Sequence, residues 1–266
     1  FYGTGKEGDV VDILGRGLKQ KLENPALPAA VIYTGENHNH AAEIMDEVLA
    51  KGPGIKGQGR FQSLNTVIGK MSGVVTDPAQ MREQKLACVV DGMARAFLVE
   101  KFNRILITKI ALSGFQRGIT VFEEKPDLLP FEEAKLYGHN ATHALIGYLL
   151  RLQKAEFMAE AQKDAGLMKL ARDAFLLESG GALCRKYAGL DPLFTEQGYR
   201  AYVDDLLKRM MNPHLRDTVE RITRDPRRKL AWDDRLVGTM RLALGQGIHP
   251  TRYATGAAAA LRMLAA

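Results

Sequence analysis

Between residues 9 and 23 the apolar positions Val10, Val11, Ile13, Leu14, Leu18 and Leu22 recur at helical spacing, which predicts an amphipathic helix. The run PAAVIYTGEN that follows is short, β-branched and aromatic and ends at Gly35, the composition of a buried parallel strand opening onto a loop. HAAEIMDEVLA predicts another helix, FQSLNTVIGKMSGVV a strand-like stretch with interruptions, and KLACVVDG a further strand. Residues 103–123, with RILITK and GITVFEE, are expected to close this α/β part and form its crossover. From PFEEAKLY onward the apolar period becomes that of helices and strand signals stop. Helices are predicted over 130–153, 155–162, 165–187, 196–210, 213–223, 232–244 and 250–264. Gly180-Gly181, the GLDP segment, Asn212-Pro213, Asp225-Pro226 and the glycines at 245 and 247 supply turn or capping chemistry at the breaks. The fold class is therefore α/β plus all-α: a sheet-based domain over 1–126 and a mostly helical domain over 127–266.

The 266 residues are enough for one large or two modest cores, and 46% hydrophobic with 26% charged is ordinary globular composition without a low-complexity tract. No apolar run approaches the roughly 18 to 20 residues of a membrane span, and the opening residues lack a signal-peptide pattern, so the expected address is cytoplasmic. Cys88 and Cys184 stand apart in apolar contexts, which predicts small core residues rather than a disulfide or zinc framework. A net charge of +6 suits an anionic partner of some kind. The basic residues alternate with acids, however, as in DTVERITRDPRRKLAWDDR, whereas a nucleic-acid surface is a denser stripe. Neither a nucleic-acid nor a membrane partner is expected.

The helix entered at Pro130 carries Lys135, Asn140 and His143. At 100° per residue Asn140 and His143 lie roughly 140° and 80° around the axis from Lys135, on one face. Ala141, Ala144, Leu145 and Tyr148 fall on the opposite side and are expected to pack inward. A desolvated lysine can act as a base, a carboxamide can donate to a developing alkoxide or carbonyl oxygen, and an imidazole can hold a neighbouring hydroxyl. His139, about 40° from Lys135, lies on the same face, so spacing does not decide which imidazole matters.

KLYGHNATH fits K-x(4)-N-x(2)-H, and with LESGGALCRKYAGLD, the segment MNPHLRDTVERITRDPRRKLAWDDRLVGTMRLAL and the TGEN loop it resembles the long-chain, metal-independent polyol dehydrogenases, most of all their mannitol-1-phosphate 5-dehydrogenase branch. The likeness runs over nearly the whole chain and is strongest from Phe131 to Leu261. It implies a partial Rossmann-type domain, a 6-phosphogluconate-dehydrogenase-like helical domain, and NAD(H) as hydride carrier for a sugar alcohol or its phosphate. A hexuronate reductase of the same family, or a non-catalytic truncated relative, is the alternative. Carried across, Lys135 is the general base, Asn37 and Asn140 are the amide pair on the reacting oxygen, and His143 binds substrate hydroxyls and orients Lys135. Position 139 departs from the family, where an apolar residue usually precedes the motif asparagine.

GTGKEG at the start fits the dinucleotide fingerprint G-x-G-x-x-G, but no strand precedes it and Glu36 stands 28 positions after Gly8 where about 20 is expected. The resemblance sets this loop instead beside the nicotinamide, with Gly3 and Gly5 as cofactor contacts and the fingerprint itself expected upstream. In NPHLRDTVERITRDPRRK the residues Arg216, Arg221, Arg224, Arg228 and Lys229 concentrate positive charge. Guanidinium forks fit phosphate oxygens, and Arg216 and Arg221 are the favoured substrate-binding pair. His38 and His40 beside Glu36 and Glu43 match no common zinc spacing, so no metal is expected.

Overall fold

A computed structural model describes residues 7–36, 38, 40–57, 59–101 and 103–265. They group into two compact units, one of residues 1–69 with 102–132, the other of 70–101 with 133–266.

In the first unit, α1 (Val10–Glu23) and α2 (Ala41–Lys51) bury their apolar stripes in one cluster that includes Val11, Leu18, Met45, Leu49 and Phe61. The predicted strand forms as β1 (Ala30–Thr34), parallel to β2 (Phe61–Val67) with Ala30 opposite Phe61, and α2 is the crossover between them. β5 (Ile105–Thr108) runs antiparallel to β2, and β6 (Phe122–Lys125) runs parallel to β5. The sheet order is β1-β2-β5-β6, so the sheet is mixed. The end of β1 is pinned by two buried hydroxyls: Thr34 Oγ1 donates to the Leu64 carbonyl and Thr66 Oγ1 to the Thr34 carbonyl, both at 2.8 Å.

The second unit begins with a two-stranded antiparallel ribbon, β3 (Ser72–Val75) and β4 (Ala96–Val99), joined through α3 (Pro78–Glu83). Arg209 on the helical side grips Glu100 at the ribbon's end, Nε to Oε1 at 2.9 Å. Residues 70–101 group with the helices of 133–266 in this unit. The predicted strand KLACVVDG is reduced to one isolated bridge, Cys88 to Ala96 of β4, and Val89 and Val90 are 70% and 59% exposed. Cys88, in the same stretch, is exposed rather than in the core, whereas Cys184 is half-buried and burial pushes its thiol pKa up.

The helix predicted over 130–153 is continuous through α4 (Leu129–Glu133), a wide segment Ala134–Asn140, and α5 (Ala141–Leu152), with helical dihedrals at both junctions. The wide segment is π-helical, with i→i+5 hydrogen bonds. The next helix repeats the device: α6 (Ala165–Asp173), π-helical Ala174–Gly180, and α7 (Gly181–Lys186). After these come α8 (Glu196–Met210), α9 (Val219–Thr223), α10 (Pro226–Lys229), α11 (Val237–Gly245) and α12 (Thr251–Arg262). The expected helix 155–162 is instead a 3-10 turn at Met158–Lys163. That expected over 213–223 is broken by the left-handed Arg216. Residues 232–236 precede α11 as a turn. Ala141, Ala144, Leu145 and Tyr148 form the core with α12, as their spacing predicted.

Two glycines set how closely the helices approach. A Cβ on Gly138 would stand 2.6 Å from both the Phe175 ring and the Tyr199 hydroxyl, so the two π-helical segments meet only because Gly138 has none. A Cβ on Gly147 would stand 2.5 Å from Ile222, and its absence lets α9 lie against α5. That second approach carries Arg221 and Arg224 alongside His143. Among the described residues no helix is long and apolar enough to cross a membrane.

Candidate functional site

In the helical unit a pocket of about 430 Å³ is lined by Asn140 and His143 from the first long helix. Facing them are Arg221, Arg224, Arg228, Lys229 and Arg235. The π-helical segment matters to its geometry. Five-residue hydrogen bonding widens the turn and draws residues five apart toward one another along the axis. Lys135 and Asn140 are such a pair, so they approach more closely around the helix than an ideal α-helix allows.

Lys135 is half-buried, and its charge acts on the ring of His139. His139 itself is 5% exposed, with its ring centroid 6.2 Å from that of His143 and no hydrogen-bond partner for Nδ1. Burial first, and then the neighbouring His143, Lys135, Arg209 and Arg235, hold its pKa well below the usual imidazole range. It is a neutral ring. The cationic neighbour that would depress the Lys135 pKa is thus not supplied from this position.

His143 faces Asp217, with Nε2 3.1 Å from Oδ2. The contact is a carboxylate beside an imidazole. Burial alone would raise the Asp217 pKa, but His143 and Arg221 outweigh it and the carboxyl stays below its usual range. Arg221 Nε donates to the other Asp217 oxygen, Oδ1, at 2.8 Å. Asp217 therefore holds Arg221 and lies beside His143. Arg228 pairs with Asp225 at 3.1 Å and Arg235 with Asp234 at 2.6 Å. Lys229 is 5% exposed and donates to the Arg224 carbonyl. Burial, assisted by Arg235 and Arg228, lowers its pKa to about 8. The lining is basic, and a phosphate or carboxylate is the complementary group.

Of the residues predicted from sequence, Asn140, His143 and Arg221 meet in this pocket, with Lys135 on the same helix. Arg216 does not line it; its guanidinium lies over the Phe157 ring at 5.7 Å, placed there by the left-handed turn. Asn37, Gly3 and Gly5 lie outside the described residues. In the TGEN loop's surroundings, Glu43 is engaged by the Asn65 amide at 2.8 Å, and no group of three metal ligands occurs among the described residues. Sequence reasoning missed Asp217 and Arg235 and left Arg224, Arg228 and Lys229 as undivided charge. A usable signal was the Asp225-Pro226 break, which turns the chain so that residues on both sides of it face one hollow.

The class this defines is an α/β chain with a helical unit whose basic, imidazole-bearing pocket is built on one long, locally widened helix. Residues 127–265, more than half of the chain, match the family model described as the mannitol dehydrogenase C-terminal domain, and the chain belongs to that family. In fold it is similar to Pseudomonas fluorescens mannitol 2-dehydrogenase, solved as a ternary complex with NAD and D-mannitol (TM-score 0.67, 19% identity, 94% of this chain and 50% of that one). It is also similar to D-sorbitol dehydrogenase in substrate-free form (TM-score 0.73, 17% identity, 98% of this chain and 53% of that one). The chain thus spans about half the length of these solved structures.

Proposed function

We propose that the chain is the substrate-binding and catalytic part of an NAD-linked dehydrogenase acting on a sugar alcohol or sugar-alcohol phosphate, of the mannitol-1-phosphate to fructose-6-phosphate type. The observation that carries this is one pocket holding Asn140 and His143 against a basic wall, on the helix that bears Lys135. These side chains can bind, orient and move a proton, but none can accept a hydride. A bound nicotinamide would supply that acceptor. Lys135 takes the hydroxyl proton during oxidation and returns it during reduction. Asn140 donates to the reacting oxygen, which stabilises its developing charge without a metal. His143, beside Asp217, holds an adjacent hydroxyl, while Arg221 and Lys229 fix the far end of the substrate.

A hexuronate reductase is the second reading, favoured by the same basic wall, since guanidinium forks accept a carboxylate as readily as a phosphate. The test is NADH formation by the whole protein with mannitol, mannitol 1-phosphate and hexonates, beside the Lys135→Ala variant. Turnover with one polyol class that disappears in the folded variant is the expected result. Turnover that survives in Lys135→Ala overturns the proposal. Calorimetric titration of NAD+ into the chain separates an active protein from a truncated relative that holds no cofactor.

A further inference from the structure

A second pocket, of about 410 Å³, adjoins the first across a shared wall of Arg221, Arg224 and Asp225. Arg151, Thr218 and Glu220 line the second pocket and not the first. Arg151 stands on α5, eight residues beyond His143. At 1.5 Å per residue that is about 12 Å along the axis, so a group held by Arg151 is not the group held by His143.

Much of the charge around this wall is already matched. Arg221 is paired with Asp217, and Asp225 with Arg228. Arg151 and Arg224, in contrast, have no carboxylate within ion-pair distance among the described residues. Both guanidiniums thus line one hollow with no carboxylate bound to them among the described residues. Thr218 Oγ1 accepts from the Arg221 amide at 3.3 Å, which leaves its hydroxyl proton available to an oxygen in the pocket. Glu220 is the opposing charge, and among the described residues it too lacks a basic partner.

We propose that this outer pocket is a second anion-binding subsite, taking a phosphate or carboxylate group between Arg151 and Arg224 with Thr218 as an additional donor. It depends only on the helical unit's residues and not on the dehydrogenase chemistry. The anion is either free in solution or the far end of a ligand that reaches past the shared wall.

The test is calorimetric titration of inorganic phosphate, and separately of mannitol 1-phosphate, into the full chain and into Arg151→Gln and Glu220→Gln. Arg151 is exposed and lines only the outer pocket, so its variant keeps the fold and spares the inner one; circular dichroism checks this. The expected loss of phosphate affinity in Arg151→Gln is about tenfold, the size of one charge-assisted contact. Glu220→Gln is expected to bind more tightly. If both ligands weaken together in Arg151→Gln, the anion belongs to the longer ligand; if inorganic phosphate alone weakens, it is free. Unchanged affinity for both, or no phosphate binding by the parent chain, overturns the subsite. None of these measurements needs NAD or turnover, so a chain without dehydrogenase activity can still confirm or refute the subsite.

Discussion

The two π-helical segments, Ala134–Asn140 and Ala174–Gly180, are the same backbone device in contact with each other, and they treat their polar groups in opposite ways. In the second, Glu178 is 1% exposed and fully engaged: it accepts from the Arg252 amide at 2.9 Å, the Arg252 guanidinium at 3.2 Å and the Tyr253 amide at 3.0 Å. Its carboxylate caps the start of α12. In the first, His139 Nδ1 is buried and has no partner among the described residues, while Lys135 and Asn140 stay half-buried. Satisfied polar groups hold a fold together, whereas a buried polar atom left unmatched, as His139 Nδ1 is, has a cost that persists at working sites.

Exchanging the two roles is the sharpest way to break this contrast. Lys135→Ala is expected to lower the turnover of the whole protein by about 10²- to 10⁴-fold, the usual worth of a positioned acid or base, with a smaller effect on stability than Glu178→Ala. Steady-state kinetics beside urea unfolding checks both halves. Glu178→Ala is expected to do the reverse. It strands the buried Tyr253 amide and removes the α12 cap, and stability falls by about 3 kcal/mol, since each stranded buried donor costs roughly 1–3 kcal/mol. The urea midpoint should move with little change in slope. If Lys135→Ala unfolded the chain and Glu178→Ala did not, the assignment of one segment to chemistry and the other to structure would be reversed.

Gly138 joins the two segments, and Gly138→Ala sharpens the comparison at the contact itself. A methyl group 2.6 Å from the Phe175 ring and the Tyr199 hydroxyl cannot be accommodated without the helices parting. The expected cost is about 1–3 kcal/mol, as for other overpacked cores, together with a loss of substrate affinity because Asn140 and His143 shift with the helix. A variant that melts normally and binds substrate normally would show that the close approach is not needed.

How much of this was legible in the residues follows from what each signal measures. The long helix and its inward face, Ala141, Ala144, Leu145 and Tyr148, were readable because burial imposes a period on the apolar positions. The π-helical widening was not, because hydrogen-bond pattern leaves no mark on polarity; only Gly138 hinted at it, and its meaning needs the Phe175 and Tyr199 rings. KLACVVDG was misread because a short apolar run does not say whether a partner will pair along its length, and here only Cys88 bridges β4. In the site, the K-x(4)-N-x(2)-H spacing pointed to the helix that lines the basic pocket, but Arg216 and Lys229 were weighed by charge alone. A left-handed residue sends Arg216 onto Phe157, while a Pro-initiated turn buries Lys229 in the pocket, and both outcomes are set by backbone turns rather than by side-chain type.

Lys229 gives the smallest effect, and it separates the basic wall from the π-helical segment opposite it. Its pKa is lowered to about 8, by burial first and then by Arg235 and Arg228, against the raising influence of Asp225 and Asp234. The lysine is therefore cationic below pH 8 and loses its proton as the pH rises through that value. Its attraction for an anion is complete on the acid side and lost on the basic side. A phosphate monoester has its second ionisation near pH 6, so the ligand's own charge is constant over this range. Affinity for mannitol 1-phosphate should accordingly fall several-fold, at most about tenfold, between roughly pH 7 and pH 9. In Lys229→Arg the guanidinium stays charged and the decline should vanish, since arginine does not titrate there. Calorimetric titration across that range reads the result directly. A flat profile in the parent chain, or an equal decline in Lys229→Arg, would remove Lys229 from the anion's surroundings and leave recognition to Arg221 and its neighbours.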